Sequence, residues 1–467
     1  MRPLEILTPT VLALYLLYPL TGKKRPPAVG ILPAFALVLI ATHANVEGMR
    51  WQMFPLYAFA IAALFFSIPA FFRTAQNGMP ARQPLRVALN LSLLAVATAL
   101  PILLPVPAIP APGGPYAVGT TIYELTDTSR KELYSGVDEA RRFQMQVWYP
   151  SEADPSSERA PWMANADVFA PAISAYLDLP DFFLDHLALV KIPAYRDAAV
   201  APTNEGFPVI LFSHGWNGFN AQNTGQALQL ASHGYVVVGI QHTYGAIVTV
   251  FDDGAVAKNN PSALPSGAPD DEYEAAAHKL ADQWAGDMGF ALDFLNQQNN
   301  DSSSPFHASL DLSRVGVYGH STGGGAAIQF CGTDARCKAL LGQDPFMRPI
   351  SYAVQESGVA QPSFYMFSQE WADLADSRNN KLFNPFYAKS AETYGALFIA
   401  GTAHYDFSDL PLLSPLAPQL GLKGPINGER VTVIVNDYLL SFFDMTLKDI
   451  PTDLFDDQSL YTEVKSK

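Results

Sequence analysis

The sequence predicts a chain in two parts: an all-α domain of four membrane-crossing helices, then an α/β domain with a mostly parallel central sheet flanked by helices. Three observations predict it. Four long apolar runs, nearly free of charge, fill residues 1–108. Beyond them strand-like and helix-like patterns alternate, as a layered α/β sheet requires. Within that second part, Arg314-Val-Gly-Val-Tyr-Gly-His-Ser-Thr-Gly-Gly-Gly325 strings together a β-branched segment, a G-x-S-x-G box and a small-residue helix start.

The apolar runs cover about 3–20, 28–44, 54–72 and 87–107, each near the ~20 residues a helix needs to cross ~30 Å of hydrocarbon. A charge at mid-bilayer costs roughly 2.5–3.5 kcal/mol, so its confinement to connectors suits spanning helices. Lys23-Lys24-Arg25 follows the first run instead of preceding it, so that run reads as an anchor and not as a cleavable leader. Three basic residues stand after the first span and three after the third (Arg73, Arg82, Arg86), against Arg50 with Glu47 between the second and third. By the positive-inside rule the N-terminus and everything after the fourth span lie outside. The expectation is an integral membrane protein whose larger domain sits on the extracytoplasmic face. No ionisable residue lies well inside a span, which argues against transport. The Pro-rich residues 109–115 read as a stiff tether, giving domains 1–108 and 116–467 on either side.

Of 467 residues, 29 are basic and 44 acidic, a net of −15; residues 1–110 carry +6, leaving −21 for the rest. That balance argues against a nucleic-acid partner. Cys331 and Cys337 are the only cysteines, and no neighbouring ligands complete a metal set, so neither a metal nor another cofactor is expected. The pair reads as a local disulfide if the domain faces an oxidising compartment, or as two buried thiols.

In the second domain, residues 118–125 and 143–149 alternate like opening strands, and 207–213 and 235–240 are continuous apolar runs suited to buried central strands. Leu280, Trp284, Met288, Leu292 and Leu295 recur at helical spacing and fit the helix before the serine strand, with Trp284 in the core. After the box, 338–344, 363–368 and 394–400 are further strands. Val431, Ile434, Val435, Tyr438, Leu439, Phe442 and Phe443 mark one face of a closing helix. Strand, serine turn, helix, then strands ending in an acid and a histidine is the order of an α/β-hydrolase.

Serine is a weak nucleophile until a base takes its proton, and the base needs an orienting acid. His404 is the only histidine after Ser321, which makes it the base. Asp344 ends the first strand after the box and is the favoured acid; Glu370 follows the next strand and stays open. The oxyanion donors expected are the backbone N–H groups of Thr322, in the turn, and Trp216, in the loop after 207–213. Losing one such donor typically costs about 3 kcal/mol. His214 and His320 read as supports for loop and turn, not as bases.

At these residues the chain resembles the platelet-activating factor acetylhydrolase family of α/β-hydrolases, of the calcium-independent secreted and intracellular type. The likeness spans about 116–454. It rests on Tyr116-Ala-Val-Gly119 ahead of Val147-Trp-Tyr-Pro-Ser151, on Phe212-Ser-His-Gly215 and Gly319-His-Ser-Thr-Gly323, on Asp344, and on His404 followed by Asp406-Phe-Ser-Asp409. The resemblance implies Ser321 as nucleophile, Asp344 as acid, His404 as base, Trp216 and Thr322 as oxyanion donors, and metal-free hydrolysis of short or oxidised sn-2 acyl groups on phospholipids. The chain departs from familiar members in its four spans, in Trp216 where a smaller apolar residue is usual, and in Pro345 after the acid. Substrate choice therefore stays open between phospholipids and the polyester, cutin or small esters of wider relatives. An acyltransferase using the same acyl-enzyme, or a membrane sensor on a hydrolase fold, are the rival readings.

Between early strands, residues 161–200 form an aromatic-rich insertion, read as a lid or as helices packed on the sheet edge. Phe183 within it, and His242 just past 235–240, are candidate substrate contacts. The sequence leaves the oligomeric state undetermined.

Overall fold

The computed structural model describes residues 1–23, 26–72, 82–152, 157–456 and 460–467, and divides into two compact units. The first holds Met1–Pro107 together with Phe183–Val190 and Leu413–Leu416; the second holds the remainder. Lys24, Arg25 and Arg73 of the basic connectors lie outside the described residues.

The first unit is built on helices Pro3–Leu17, Leu32–His43, Phe54–Phe72 and Gln83–Leu103. Three stretches, Pro3–Thr21, Trp51–Ile68 and Gln83–Leu103, are long and apolar enough to cross a membrane. The second apolar run is shorter as a helix, Leu32–Gly48, because Pro26 and Pro27 open a separate single turn, Pro27–Gly30, before it. Leu12, Ala36, Leu56 and Ala60 pack inward, while Leu14, Phe65, Phe66, Leu85 and Val96 stay exposed, so the outer surface is apolar too. Glu5 is fully buried near one end of the bundle. A buried carboxylate needs partners: Arg50 donates to its two oxygens at 2.7 and 2.9 Å, and Arg2 donates at 2.8 Å. Within the same unit the Phe183 ring lies 5.5 Å from that of Trp51, whose indole N–H donates to the Phe183 carbonyl.

The second unit carries an eleven-stranded sheet. Its strands are β1 (Ala117–Lys131), β2 (Ala140–Ser151), β3 (Arg159–Pro161), β4 (Lys191–Arg196), β5 (Phe207–Ser213), β6 (Val236–Gln241), β9 (Leu310–His320), β10 (Cys337–Gln343), β11 (Pro362–Ser368), β12 (Glu392–Ile399) and β13 (Val464–Ser466); β7 (Val248–Val250) and β8 (Val256–Lys258) form a separate ribbon. The sheet order is β13-β12-β11-β10-β9-β5-β6-β2-β1-β4-β3. From β6 through β12 every neighbouring pair is parallel, whereas β2 enters antiparallel. Parallel strands covered on both faces are near-continuously apolar, and every residue of β5 and β6 is buried, with polar Ser213 and Gln241 only at their ends. Leu280, Trp284, Met288 and Leu295 of the Asp270–Asn300 helix, and Ile434, Leu439, Phe442 and Phe443 of the Gly428–Lys448 helix, are buried. The insertion contributes the Ala166–Tyr176 helix and the added strand β4. Cys331 and Cys337 form a disulfide that ties the Thr322–Thr333 helix to β10.

Phe442 is fully buried against Phe364, Phe443 and Phe455. Removing an aromatic ring from such a site costs about 3–5 kcal/mol. Phe442→Ala is expected to lower the unfolding free energy of the detergent-purified protein by that amount, and Phe442→Leu by much less, as denaturant titration checks.

Candidate active site

β9 delivers its chain into a turn that ordinary geometry disfavours. Ser321 sits at φ 57°, ψ −122° and caps the Thr322–Thr333 helix. A Cβ on Gly319 would lie 2.2 Å from the Gly323 carbonyl oxygen, and one on Gly323 would lie 2.1 Å from the Ser213 carbonyl oxygen. Only glycine on both sides lets strand, turn and helix close up around the serine. The Ser321 N–H donates to the Gln343 carbonyl at 3.0 Å, which fastens the turn to β10.

Asp344 follows β10, fully buried, at φ 42°. Its Oδ1 accepts from the Ser368 N–H at 2.8 Å, and its Oδ2 accepts from the Ser368 hydroxyl at 2.6 Å. The same Oδ2 faces Nδ1 of His404 at 3.0 Å. A carboxylate there keeps the proton on Nδ1 and leaves Nε2 free to act as a base. Glu370, the other acid considered, accepts from the His404 backbone N–H at 3.0 Å and not from the ring.

His404 is held by ring contacts and through its backbone. Trp371 stacks on its ring at 4.5 Å and 5°, and His320 lies on it at 4.5 Å and 35°. The His320 Nε2–H donates to the His404 carbonyl at 2.9 Å, and its Nδ1 accepts from Gln222 at 3.1 Å. Burial first, and the neighbouring His404 second, push His320 well below the usual imidazole range, so it stays neutral and acts as a fixed donor. The sequence marks His320 as a member of the serine box, but no motif marks Trp371 or Gln222.

Ser321 and His404 line one cavity of ≈210 Å³, together with Trp216, Tyr176, Ile173 and Gln222. Ser321 also borders a second recess of ≈370 Å³ between Thr322, Phe346, Trp371, Leu374, Ser377 and Asn379. Among the described residues neither the Trp216 N–H nor the Thr322 N–H, the first of its helix, has an acceptor. The structure thus brings together Ser321, Asp344, His404, Trp216 and Thr322.

Two candidate substrate contacts are placed elsewhere. His242 is fully buried, bonded to Ser213 and Asp287, and lines neither cavity. Phe183 packs on Trp51 in the first unit. Strand-end position alone does not say which way a side chain turns, and Phe183 finds its aromatic partner far away in sequence. Glu5, His43 and Glu47 are the one group among the described residues with ligand atoms close enough, within 4.8 Å, to share an ion. Arg2 and Arg50 already neutralise that group.

A family model for platelet-activating factor acetylhydrolase, isoform II, matches residues 105–461. The chain is 28% identical over 359 residues to the platelet-activating factor acetylhydrolase of Cavia porcellus, covering 73% of this chain and 78% of that one. It is 26% identical over 356 residues to a probable 1-alkyl-2-acetylglycerophosphocholine esterase of Arthroderma benhamiae, covering 70% and 82%. Among solved structures, a ferulic acid esterase from Streptomyces cinnamoneus matches with a TM-score of 0.63 at 23% identity, over 77% of this chain and 99% of that one. That likeness is one of fold.

The two acids make opposite predictions. Asp344→Asn is expected to lower kcat by about 10⁴, as losing the imidazole's orienting carboxylate does in serine hydrolases. Glu370→Gln, which keeps an acceptor for the backbone N–H, is expected to stay within about tenfold of the parent. Steady-state ester hydrolysis by both variants checks this.

Proposed function

The chain belongs to the platelet-activating factor acetylhydrolase isoform II family, and on that premise we propose that it is a membrane-anchored, calcium-independent serine esterase that removes short or oxidised sn-2 acyl groups from phospholipids. The observation that carries this reading is the meeting, at one small cavity, of a serine on a strained turn and an imidazole held by a buried carboxylate. Ser321 Oγ attacks the ester carbonyl while His404 Nε2 takes its proton. The oxyanion is received by the Trp216 and Thr322 N–H groups, and the proton returns to the departing lysophospholipid alcohol. Water, activated by the same imidazole, then clears the acyl-enzyme.

A cavity of ≈210 Å³ is smaller than the roughly 300–1,000 Å³ of pockets that enclose drug-sized ligands, which favours a small group on one side of the ester. The second recess bordering Ser321, walled by Phe346, Trp371 and Leu374, suits an apolar group on the other. Three helices of spanning length and an apolar outer surface support anchoring of the first unit in a bilayer. The charge bias of the connectors supports an extracytoplasmic second unit, and its disulfide suits an oxidising compartment.

Detergent-purified protein is expected to release acyl groups from phospholipids carrying short or oxidised sn-2 chains and not from those with long ones. The rate should be unchanged by EDTA and absent from Ser321→Ala. Turnover of soluble aryl esters with no phospholipid cleaved at any chain length would leave a general esterase on a membrane anchor. Loss of activity in EDTA, restored by calcium, would overturn the metal-free mechanism.

A further inference from the structure

Behind the loop that carries Trp216 lies a second serine–histidine–aspartate chain, entirely buried. The Ser213 hydroxyl meets Nε2 of His242 at 2.9 Å, and Nδ1 of His242 meets Oδ2 of Asp287 at 2.9 Å. All three are fully buried, so the chain cannot be reached by an ester. Arg141 grips both oxygens of Asp287, at 3.0 and 2.6 Å, Arg130 adds a donor at 2.9 Å, and Arg141 also donates to Glu132 at 2.6 Å. Burial alone would raise the Asp287 carboxyl, but Arg141 and His242 hold it well below the ordinary range, so it stays charged and keeps the proton on Nδ1 of His242. Trp284 stacks flat on the His242 ring at 4.2 Å.

His242 passes this fixed position to the loop through its backbone. Its N–H donates to Nε2 of His214 at 3.2 Å. Since Nε2 accepts, the proton of the neutral ring is on Nδ1, and Nδ1–H donates to the Gly215 carbonyl at 2.7 Å. Burial, followed by the proximity of His242, pushes His214 down to about 3, so the ring is neutral. The Gly218 N–H donates to the same carbonyl at 2.9 Å. The Gly215 carbonyl and the Trp216 N–H belong to one trans peptide plane and point in opposite directions. Two donors that hold the carbonyl therefore aim the Trp216 N–H the other way.

We propose that His214, braced by the buried Ser213–His242–Asp287–Arg141 chain, is a positioning residue that presents the Trp216 N–H to the oxyanion. This rests on the reading of Ser321 as nucleophile and Trp216 as oxyanion donor, and it assigns the second serine–histidine–aspartate chain a supporting role in that reaction. In His214→Leu the Gly215 carbonyl keeps only the Gly218 N–H as donor, and the peptide plane is held less firmly. In His214→Asn the side-chain amide can still donate in place of Nδ1.

The test compares kcat and KM of the full-length protein, His214→Leu, His214→Asn and His242→Leu on a soluble aryl ester and its thionoester, whose sulfur is a poor acceptor for oxyanion donors. His214→Leu is expected to lose about 10–10³-fold in kcat at unchanged KM, and to discriminate less between oxygen and sulfur esters. His214→Asn should recover most of both. His242→Leu should show the same pattern more weakly, and the double variant should lose less than the two single losses multiplied. Parental kcat in His214→Leu, or a kcat loss with the oxygen-to-sulfur ratio unchanged, would overturn the proposal. If His214→Leu does not fold, His214→Asn and His242→Leu carry the test by the same ratio. Persistent hydrolysis by Ser321→Ala would instead overturn the nucleophile assignment itself.

Discussion

Everything at the site depends on a backbone conformation that a serine resists. A non-glycine residue in a sparsely populated region costs on the order of 1–3 kcal/mol and persists only where its surroundings fix it. Ser321 is fixed by what flanks it: Gly319 and Gly323 leave room that a single methyl group would fill, and hydrogen bonds bind the turn to β10 and to the segment after it. The Ser321 carbonyl accepts from the Phe346 N–H at 2.9 Å, so the serine turn and the segment that follows Asp344 are fastened to each other. Asp344 is itself at positive φ, and its N–H is fixed to β11 through the Met366 carbonyl. Two adjacent strand ends therefore carry the strain, and the sheet between them supplies the register.

The histidines around this turn show how burial assigns distinct tasks to one side chain. His404 keeps part of its ring exposed, 18%, and has a carboxylate on Nδ1, an arrangement that suits the base proposed for it. His320, His214 and His242 are buried, and burial pushes all three down, which makes them rigid neutral donors and acceptors. A buried ring that stays neutral has one donor and one acceptor, so its partners decide its tautomer, and the tautomer transmits a direction. In the proposed mechanism proton transfer falls to His404, and positioning falls to the three buried rings.

Much of this was legible in the sequence, for particular reasons. Continuous apolar runs marked β5 and β6 because a parallel strand covered on both faces tolerates little else. Chain order left a single histidine after Ser321, and the fold brings it to the serine's cavity. Strand-end position favoured Asp344 over Glu370, but only the direction of the carboxylate, which no sequence pattern gives, separates the two. Trp371, Asp287 and Arg141 gave no signal, since their roles come from contacts across long stretches of chain. Glu5 and the Phe183–Val190 segment were hidden for the same reason: an acid close to a helix start says nothing of the arginine that will bury it, and an aromatic segment inside one domain's sequence can pack with the other. The second apolar run read as a full-length span, but Pro26 and Pro27 just before it open a separate turn, and the helix that follows, Leu32–Gly48, is shorter than the three of spanning length.

Covalent catalysis by Ser321 is the claim on which the rest hangs. It is tested most directly by treating the detergent-solubilised protein with a fluorophosphonate and mapping the adduct by peptide mass spectrometry while residual ester hydrolysis is followed. The account predicts one adduct, on Ser321, formed in step with the loss of hydrolysis. An adduct at another residue, or continued hydrolysis by fully labelled protein, would contradict it.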